Sequence, residues 1–114
     1  MSEVVVVGSF TAKRGKEREA LEASRAVVAP THSETGCILY ALHQGADDPR
    51  RLAFVERWGS REELDAHLTS PHVRDFLVRV DELFSDGGVI VVYDAIPEGE
   101  HNKGSLAAHA GSAG

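Results

Sequence analysis

Two histidines, His67 and His72, flank a Ser-Pro step in the segment AHLTSPHVRDF. Imidazole titrates near pH ~6.5, so a histidine beside an apolar pocket is a ready proton acceptor at neutral pH. His67 shares a predicted short helix with Leu64 and Leu68, which places it near the apolar side of that helix. His72 follows Pro71 at the start of the next predicted helix, so the two rings could converge across the break. On spacing alone, His72 could instead interact with the helix end and His67 could bond a backbone carbonyl.

Glu56 shares one face of a predicted strand, residues 50–58, with aromatic side chains. Side chains alternate along a strand, so Phe54, Glu56 and Trp58 lie on the same side. A carboxylate among apolar groups pairs with a donor or a cation, or it has a raised pKa and becomes a candidate acid or base. A structural ion pair and a catalytic carboxylate therefore both fit this position.

A metal site built from His67, His72 and Glu56 would resemble the two-histidine, one-carboxylate iron centres. The spacing matches no metal-binding motif, so the sequence predicts no metal site. Cys37 is the single cysteine. One chain therefore has neither a disulfide nor a cysteine zinc cage. There is no glycine-rich phosphate loop and no G-x-S-x-G segment, which argues against those enzyme classes.

Composition indicates one small domain. The chain has 114 residues and a formal net charge of −6, which argues against a nucleic-acid-binding surface. It contains no basic amphipathic helix for a membrane surface, and the apolar run from Val4 to Val7 is too short for a signal peptide or a membrane span. We expect a cytoplasmic protein with a folded domain over residues 1–97. Residues 98–114 are small, polar and aperiodic, which predicts a disordered tail.

Hydrophobic patterning predicts four strands and three helices. The strands are a first one from Val4, residues 36–44 and 50–58 joined as a hairpin through GADDPR, and residues 89–96. A first helix runs from Lys16 and ends before Gly36. The short helix then follows a capping box formed by Ser60 and Glu63. The third helix begins at Ser70 as N-cap with Pro71 next, and its apolar stripe continues to Phe84.

The order of these elements matches an α+β, ferredoxin-like split βαβ fold, an antiparallel sheet with helices on one face. The strands are apolar on both faces, so the second face also needs a cover. No segment remains to supply one. The economical prediction is a homodimer that packs sheet against sheet about a two-fold axis.

The stretch FVERWGSREELDAHLTSPHVRDF, with GCILY upstream, resembles the antibiotic biosynthesis monooxygenase family, and its quinol monooxygenase branch most closely. The shared features are a Glu-x-Trp strand end, a Leu-x-x-His helix and a Ser-Pro-His break. The resemblance covers residues 3–96. It implies a dimeric α+β barrel, in agreement with the covered-sheet argument.

The resemblance also implies oxygenation of a quinol, phenol or anthrone by O₂ without flavin, haem or metal. Such a reaction needs a base, an apolar pocket and a substrate anion that is easily oxidised. We expect His67 or His72 to take or relay the proton. The pocket would be shaped by Tyr40, Phe54, Trp58 and Phe76, with Glu56 orienting a side chain or a polar substrate group.

Three other functions bear on this resemblance. The haem-degrading branch uses an Asn and a His at positions that Gly8 and Leu77 occupy here, which disfavours haem degradation. A branch that isomerises a phosphorylated sugar signal shares the histidine pattern, and Arg57, Arg61 and Arg74 could supply cations for a phosphate. A non-catalytic dimer that binds small aromatic ligands is the third reading.

Overall fold

The computed structural model describes residues 3–106, and its centre is one antiparallel sheet. The sheet has the strand order β2-β3-β1-β4, and every neighbouring pair in it is antiparallel. The fold is therefore the predicted ferredoxin-like α+β arrangement, and the predicted β2–β3 hairpin is confirmed. The strands are β1 Val4–Thr11, β2 Cys37–Gln44, β3 Arg51–Trp58 and β4 Val89–Tyr93.

Two of the predicted helices are broken into shorter ones. The helices are α1 Glu17–Ala26, α2 Val28–His32, α3 Arg61–Leu68, α4 Pro71–Leu77 and α5 Val80–Leu83. The first break follows from Pro30, which has no N–H to donate and whose ring crowds the carbonyl four residues earlier, at Ala26. The second break, at Val78 and Arg79, has no proline or glycine to mark it. The single long helices expected from the sequence were wrong at both places.

The fourth strand is shorter than predicted. It ends at Tyr93 rather than at residue 96. Tyr93 pairs with Val5, one residue from the start of β1. Residues beyond Tyr93 have almost no strand left to pair with, so the ladder stops there.

The hydrophobic core lies between the sheet and the helices. Alternate residues of β1 and β3 face it, and Val6, Phe10 and Phe54 are nearly or wholly buried. Phe10 and Phe76 meet edge to face at a ring-centroid distance of 5.4 Å. Edge-to-face packing of this kind holds the helices over one face of the sheet.

The opposite face of the sheet is apolar, as predicted, and within residues 3–106 no helix covers it. It presents Val7 from β1 and Val55 from β3, which are paired partners, together with Val91 and Tyr93 of β4, both exposed. Arg57 lies at the same face and pairs with Glu3. The second chain predicted to cover this face stays a prediction.

Residues 94–105 form neither helix nor strand. The predicted tail, 98–114, lies partly outside the described residues, and the domain boundary at residue 97 stays a prediction. Among the helices of the described range, none has the length and apolar character to cross a membrane. The cytoplasmic location stays a prediction as well.

Candidate active site

The start of α3 is fixed by the predicted capping residue. Ser60 Oγ accepts a hydrogen bond of 3.1 Å from the backbone N–H of Glu63. The Ser60 hydroxyl also donates to the Glu63 carboxylate at 3.2 Å. A capping box also contains a hydrogen bond from the Ser60 N–H to the Glu63 side chain. Here the Glu63 carboxylate accepts from the Ser60 hydroxyl instead. The cap sets the direction of α3 and so places His67 in its last turn.

Ser70 is the N-cap of α4 and Pro71 its first residue, as predicted, but the Ser70 side chain makes no capping hydrogen bond. Its hydroxyl instead donates to the backbone carbonyl of His67 at 2.6 Å. The same Oγ lies 3.2 Å from Nε2 of His72. Ser70 therefore ties the end of α3 to the start of α4 and holds both histidines on either side of the break.

His67 is buried, with 2% of its surface exposed. Its ring lies 4.6 Å from the Trp58 ring and 5.2 Å from the Tyr40 ring, measured between centroids. Burial lowers the pKa of His67, because water no longer solvates its charged form, while the neighbouring Glu34 carboxylate opposes that shift. The ring is therefore biased toward the neutral form that can accept a proton.

Glu34 joins the two histidines, and sequence reasoning missed it. Its Oε2 accepts from Nδ1 of His67 at 2.8 Å and from Nε2 of His72 at 2.6 Å. The two imidazole centroids are 6.2 Å apart. Glu34 lies in the turn between α2 and β2, where Gly36 has a φ of 88°. The available sequence signal was an acidic residue two positions before Gly36, where the first predicted helix ends. No pattern of neighbouring residues linked it to His67.

The hydrogen bond from His67 to Glu34 selects a tautomer. A carboxylate only accepts, so Nδ1 of His67 carries the proton and donates it. Nε2 then has a lone pair. Within residues 3–106, no hydrogen-bond partner occupies that nitrogen. The Glu34 carboxylate thus fixes the orientation and tautomer of the His67 ring, as the acid does for the histidine of a Ser-His-Asp triad.

Glu56 is the second titratable group here. Trp58 Nε1 donates to its Oε1 at 2.9 Å, and Glu56 is 6% exposed. Burial raises the pKa of Glu56 to about 7, which the Trp58 hydrogen bond partly offsets. Burial also raises the pKa of Tyr40, and the Glu56 charge adds to that shift. The carboxyl is thus half-protonated near neutral pH, while the phenol of Tyr40 stays protonated.

Cys37 is not an activated nucleophile. Burial, followed by the Glu34 and Glu56 charges, raises the pKa of its thiol to about 11. The thiolate is the reactive form of cysteine, and it is scarce at neutral pH when the pKa is this high.

A narrow cavity of about 30 Å³ lies between the sheet and the helices. Its wall includes five of the seven predicted site residues: Tyr40, Phe54, Glu56, His67 and Phe76. The other two do not line it. Trp58 donates to Glu56 and packs against the His67 ring, and His72 bonds the same Glu34 oxygen as His67. Leu77 and Ile90, each more than two-fifths exposed, form part of the rim.

The structure separates Glu56 from the two histidines as a metal-ligand set. In the described part of the chain, the cluster with metal-binding geometry is Glu34, His67 and His72. The triplet considered and set aside from the sequence had Glu56 as its carboxylate, whereas this cluster has Glu34. Glu56 is bonded to Trp58 instead.

The three arginines considered for a phosphate do not reach the cavity wall in the described residues. Arg57 pairs with Glu3, and Arg61 pairs with Asp65 on the surface of α3. Arg74 is exposed on α4. A phosphorylated substrate would therefore meet no cation in this cavity.

Comparison with known proteins identifies the family. The model for antibiotic biosynthesis monooxygenases matches residues 3–79, which carry most of the sheet and both histidines. The chain belongs to the antibiotic biosynthesis monooxygenase family. A relative from Mycobacterium tuberculosis, named "Putative monooxygenase Rv0793", is 36% identical over 98 residues, which span 85% of this chain and 95% of that protein. The Synechocystis protein sll1783 is 29% identical over 90 residues, and the match covers 79% of this chain but 61% of that longer protein.

Solved structures of similar proteins share the fold. The Rv0793 structure superposes with a TM-score of 0.80 at 30% identity, covering 87% of this chain and all of that one (100%). Protein SO0527 from Shewanella oneidensis gives a TM-score of 0.77 at 29% identity, covering 81% of this chain and 89% of the other. A structure described as an antibiotic biosynthesis monooxygenase gives 0.77 at 26% identity, covering 82% and 99%. The ferredoxin-like family fold thus extends over most of the chain.

Proposed function

We propose that this protein is a cofactor-independent monooxygenase that oxidises electron-rich aromatics of the quinol or anthrone type with O₂. Its family and the monooxygenase name of its relative support an oxygenation reaction. The observation that carries the finer proposal is the pairing of His67 with Glu34. That pair presents an oriented, neutral base at the wall of an aromatic cavity.

In the proposed reaction, Nε2 of His67 removes a proton from the bound phenol. The resulting anion passes one electron to O₂, and the radical and superoxide combine at a ring carbon as a peroxide. The peroxide takes back the proton held by His67, then loses water and leaves a carbonyl. One oxygen atom stays in the product and the other leaves as water. A hydroquinone thus becomes a hydroxyquinone, and the substrate supplies all four electrons.

Glu34 and His72 lie on the Nδ1 side of the His67 ring, opposite the proposed reacting nitrogen Nε2. Glu34 holds the proton on Nδ1 and stabilises the imidazolium that forms during turnover. His72, whose side chain is 21% exposed, contacts the same carboxylate oxygen. Glu56, with a pKa of about 7, can donate a hydrogen bond to a second substrate oxygen while it is protonated.

The cavity must widen to accept this substrate. Cavities that hold benzene measure ~150 Å³, whereas ~10–15 Å³ is enough for one water. At about 30 Å³ the space holds a water or two. Leu77 and Ile90 are the exposed residues of its wall, and movement of these two side chains is the simplest way to open it.

The test is oxygen consumption by metal-stripped protein with a panel of substituted hydroquinones and anthrones. We expect uptake of one O₂ per substrate and no release of hydrogen peroxide with at least one member of the panel. Flat oxygen traces with every member would overturn the proposal. Ligand binding without turnover would favour the non-catalytic reading.

We also propose that the protein works as a homodimer that joins two open sheet faces. The apolar face formed in part by Val7, Val55, Val91 and Tyr93 supports this. Arg57 adds a second reason, because its Nε and Nη1 are buried without a hydrogen-bond partner in the described residues. Such donors are costly to leave unpaired, and a second chain could supply acceptors.

A further inference from the structure

Glu34, His67 and His72 hold three metal-ligating atoms together, and of these residues only His67 lines the cavity in the described part of the chain. One atom from each residue lies within 4.8 Å of the other two. Two imidazole nitrogens and one carboxylate oxygen are a ligand set for Zn²⁺ and related transition ions. Magnesium and calcium prefer sets made of oxygen alone. The chemistry of the cluster therefore points to one class of cation.

The three ligand atoms must shift from their present positions to take such an ion. Zinc ligands lie ~2.0–2.2 Å from the metal in a tetrahedron, which places them roughly 3.3 Å apart. The two histidine-to-Glu34 distances are now 2.8 and 2.6 Å. Each must lengthen by roughly half an ångström. Glu34 lies in a turn and its side chain is 16% exposed, so rotation of that side chain can lengthen both distances. The two histidine nitrogens lie within 4.8 Å of one another and must come closer, which requires movement of the partly exposed His72 side chain.

One ligand is rigid and two are reachable from solvent. His67 is held between the Trp58 and Tyr40 rings and cannot turn away. Glu34 and His72 are partly exposed, so an ion can enter from that side. Water can then complete the tetrahedron, as in zinc sites with three protein ligands.

We propose that Glu34, His67 and His72 bind one divalent transition ion of the zinc class, and that the bound ion switches off His67 as a base. An ion bound to Nδ1 of His67 displaces the proton that this nitrogen now donates to Glu34. A neutral imidazole then carries its proton on Nε2, which can no longer accept one from a substrate. The ion is thus an inhibitor and takes no part in the oxygenation. Binding stands independently of the proposed function, whereas inhibition rests on it.

The binding test is a calorimetric titration of the full-length, metal-stripped chain with Zn²⁺ alone. We expect about one tight site per chain, and Mg²⁺ should give no heat. Glu34→Gln and His72→Gln should each weaken the affinity by more than about tenfold. The matched control is His43→Gln, an exposed histidine of β2, which should bind as the unaltered chain does. Circular dichroism checks that each variant is folded.

Two binding results would overturn the site. One is an absence of Zn²⁺ uptake by the unaltered chain. The other is unchanged affinity in both Glu34→Gln and His72→Gln, which would place the ion elsewhere. Co²⁺ gives a second readout, because tetrahedral Co²⁺ absorbs visible light strongly and octahedral Co²⁺ weakly. A weak, octahedral spectrum would contradict the predicted geometry.

Inhibition is measured separately, with a substrate that the oxygen assay identifies. One equivalent of Zn²⁺ should stop oxygen uptake, and a chelator should restore it. In His72→Gln, more than about ten times as much Zn²⁺ should be needed to halve that variant's own metal-free rate. Tight binding with undiminished turnover would refute the switch. If no substrate turns over, the proposed function fails while the titration still decides the metal site.

Discussion

Two carboxylates lie near His67, and their surroundings give them different properties. Glu34 accepts from both histidines and its side chain is partly exposed. Glu56 has one donor, Trp58, and is nearly sealed from water. Desolvation therefore dominates at Glu56 and raises its pKa. The carboxylate bonded to both histidines suits the orientation of an imidazole, and the half-protonated Glu56 suits the proposed hydrogen bond to substrate.

Replacement of the base should remove most of the turnover. In His67→Gln, we expect kcat to fall by about 100-fold or more, since a general base contributes at least that much. His43→Gln is the matched control, because that histidine is exposed on β2 and absent from the cavity wall. Oxygen-uptake rates of the three proteins give the comparison. Equal rates for His67→Gln and the control would remove His67 from the mechanism.

Glu56 should make stability fall as pH rises. Its folded pKa is about 7 against an ordinary value of 4.5, so the folded state binds the proton more tightly than the unfolded state. Ionisation of the buried Glu56 carboxyl therefore carries a free-energy penalty for the folded state. This penalty is absent below pH 4.5, grows as pH rises and is fully present above pH 7, where it amounts to roughly 3 kcal/mol. Glu56→Gln keeps an acceptor for Trp58 and removes this penalty.

Urea unfolding at a series of pH values tests this. The free energy of unfolding of Glu56→Gln, minus that of the unaltered chain, should rise between pH 5 and pH 7.5. A difference that stays constant over that range would show that the Glu56 pKa is not raised in the folded protein.

At the level of elements, the short turn before β2 is built around Gly36. Its φ is 88°, and a Cβ there would lie 2.2 Å from Cδ and 2.7 Å from Cβ of Glu63. Glu63 is the residue that the Ser60 cap engages at the start of α3. This close approach lets the Glu34 turn pack against the helix that carries His67.

Gly36→Ala should therefore destabilise the protein more than Gly15→Ala. Both glycines have a φ of 88°, but a Cβ at Gly15 meets nothing within 4 Å. Both variants pay the left-handed backbone cost of ~1–2 kcal/mol. We expect Gly36→Ala to lose a further ~1–3 kcal/mol from overpacking.

Denaturant unfolding of the two variants gives this difference directly. Equal losses would mean that Glu63 moves aside at no cost. Loss of the Ser60 cap alone would cost about 1 kcal/mol.

Short sequence patterns predicted the features that depend on residues close together along the chain. The Ser60 cap, the β2–β3 hairpin and the burial of His67 all followed from spacing within a few residues. Glu34 did not, because it lies 33 residues from His67 along the chain and only the packing of the α2–β2 turn against α3 joins them. The helix break at Val78 was not predicted either, because the apolar stripe continues through it and no proline or glycine marks it.

At the scale of the whole molecule, the open sheet face is the proposed dimer interface. Val91 pairs with Val7 on that face and is 38% exposed. Val91→Glu would bury a charge in the proposed interface, so we expect the variant to be monomeric at concentrations where the unaltered chain is dimeric. Val78→Glu is the control, because Val78 is 80% exposed and follows α4. Sedimentation equilibrium gives the masses, and a monomeric unaltered chain would refute the dimer.

The strand order has a consequence for synthesis of the protein. β1 is synthesised before both of its neighbours in the sheet, β3, which begins at Arg51, and β4, which ends at Tyr93. The β-branched segment VVVV therefore has no strand partner until β3 has been translated, and one of its edges stays unpaired until β4 follows. Non-local pairing of this kind slows folding and leaves apolar, unpaired segments free to associate with other chains. Nascent chains stalled before β4 should accordingly depend on chaperones, whereas the finished chain should not.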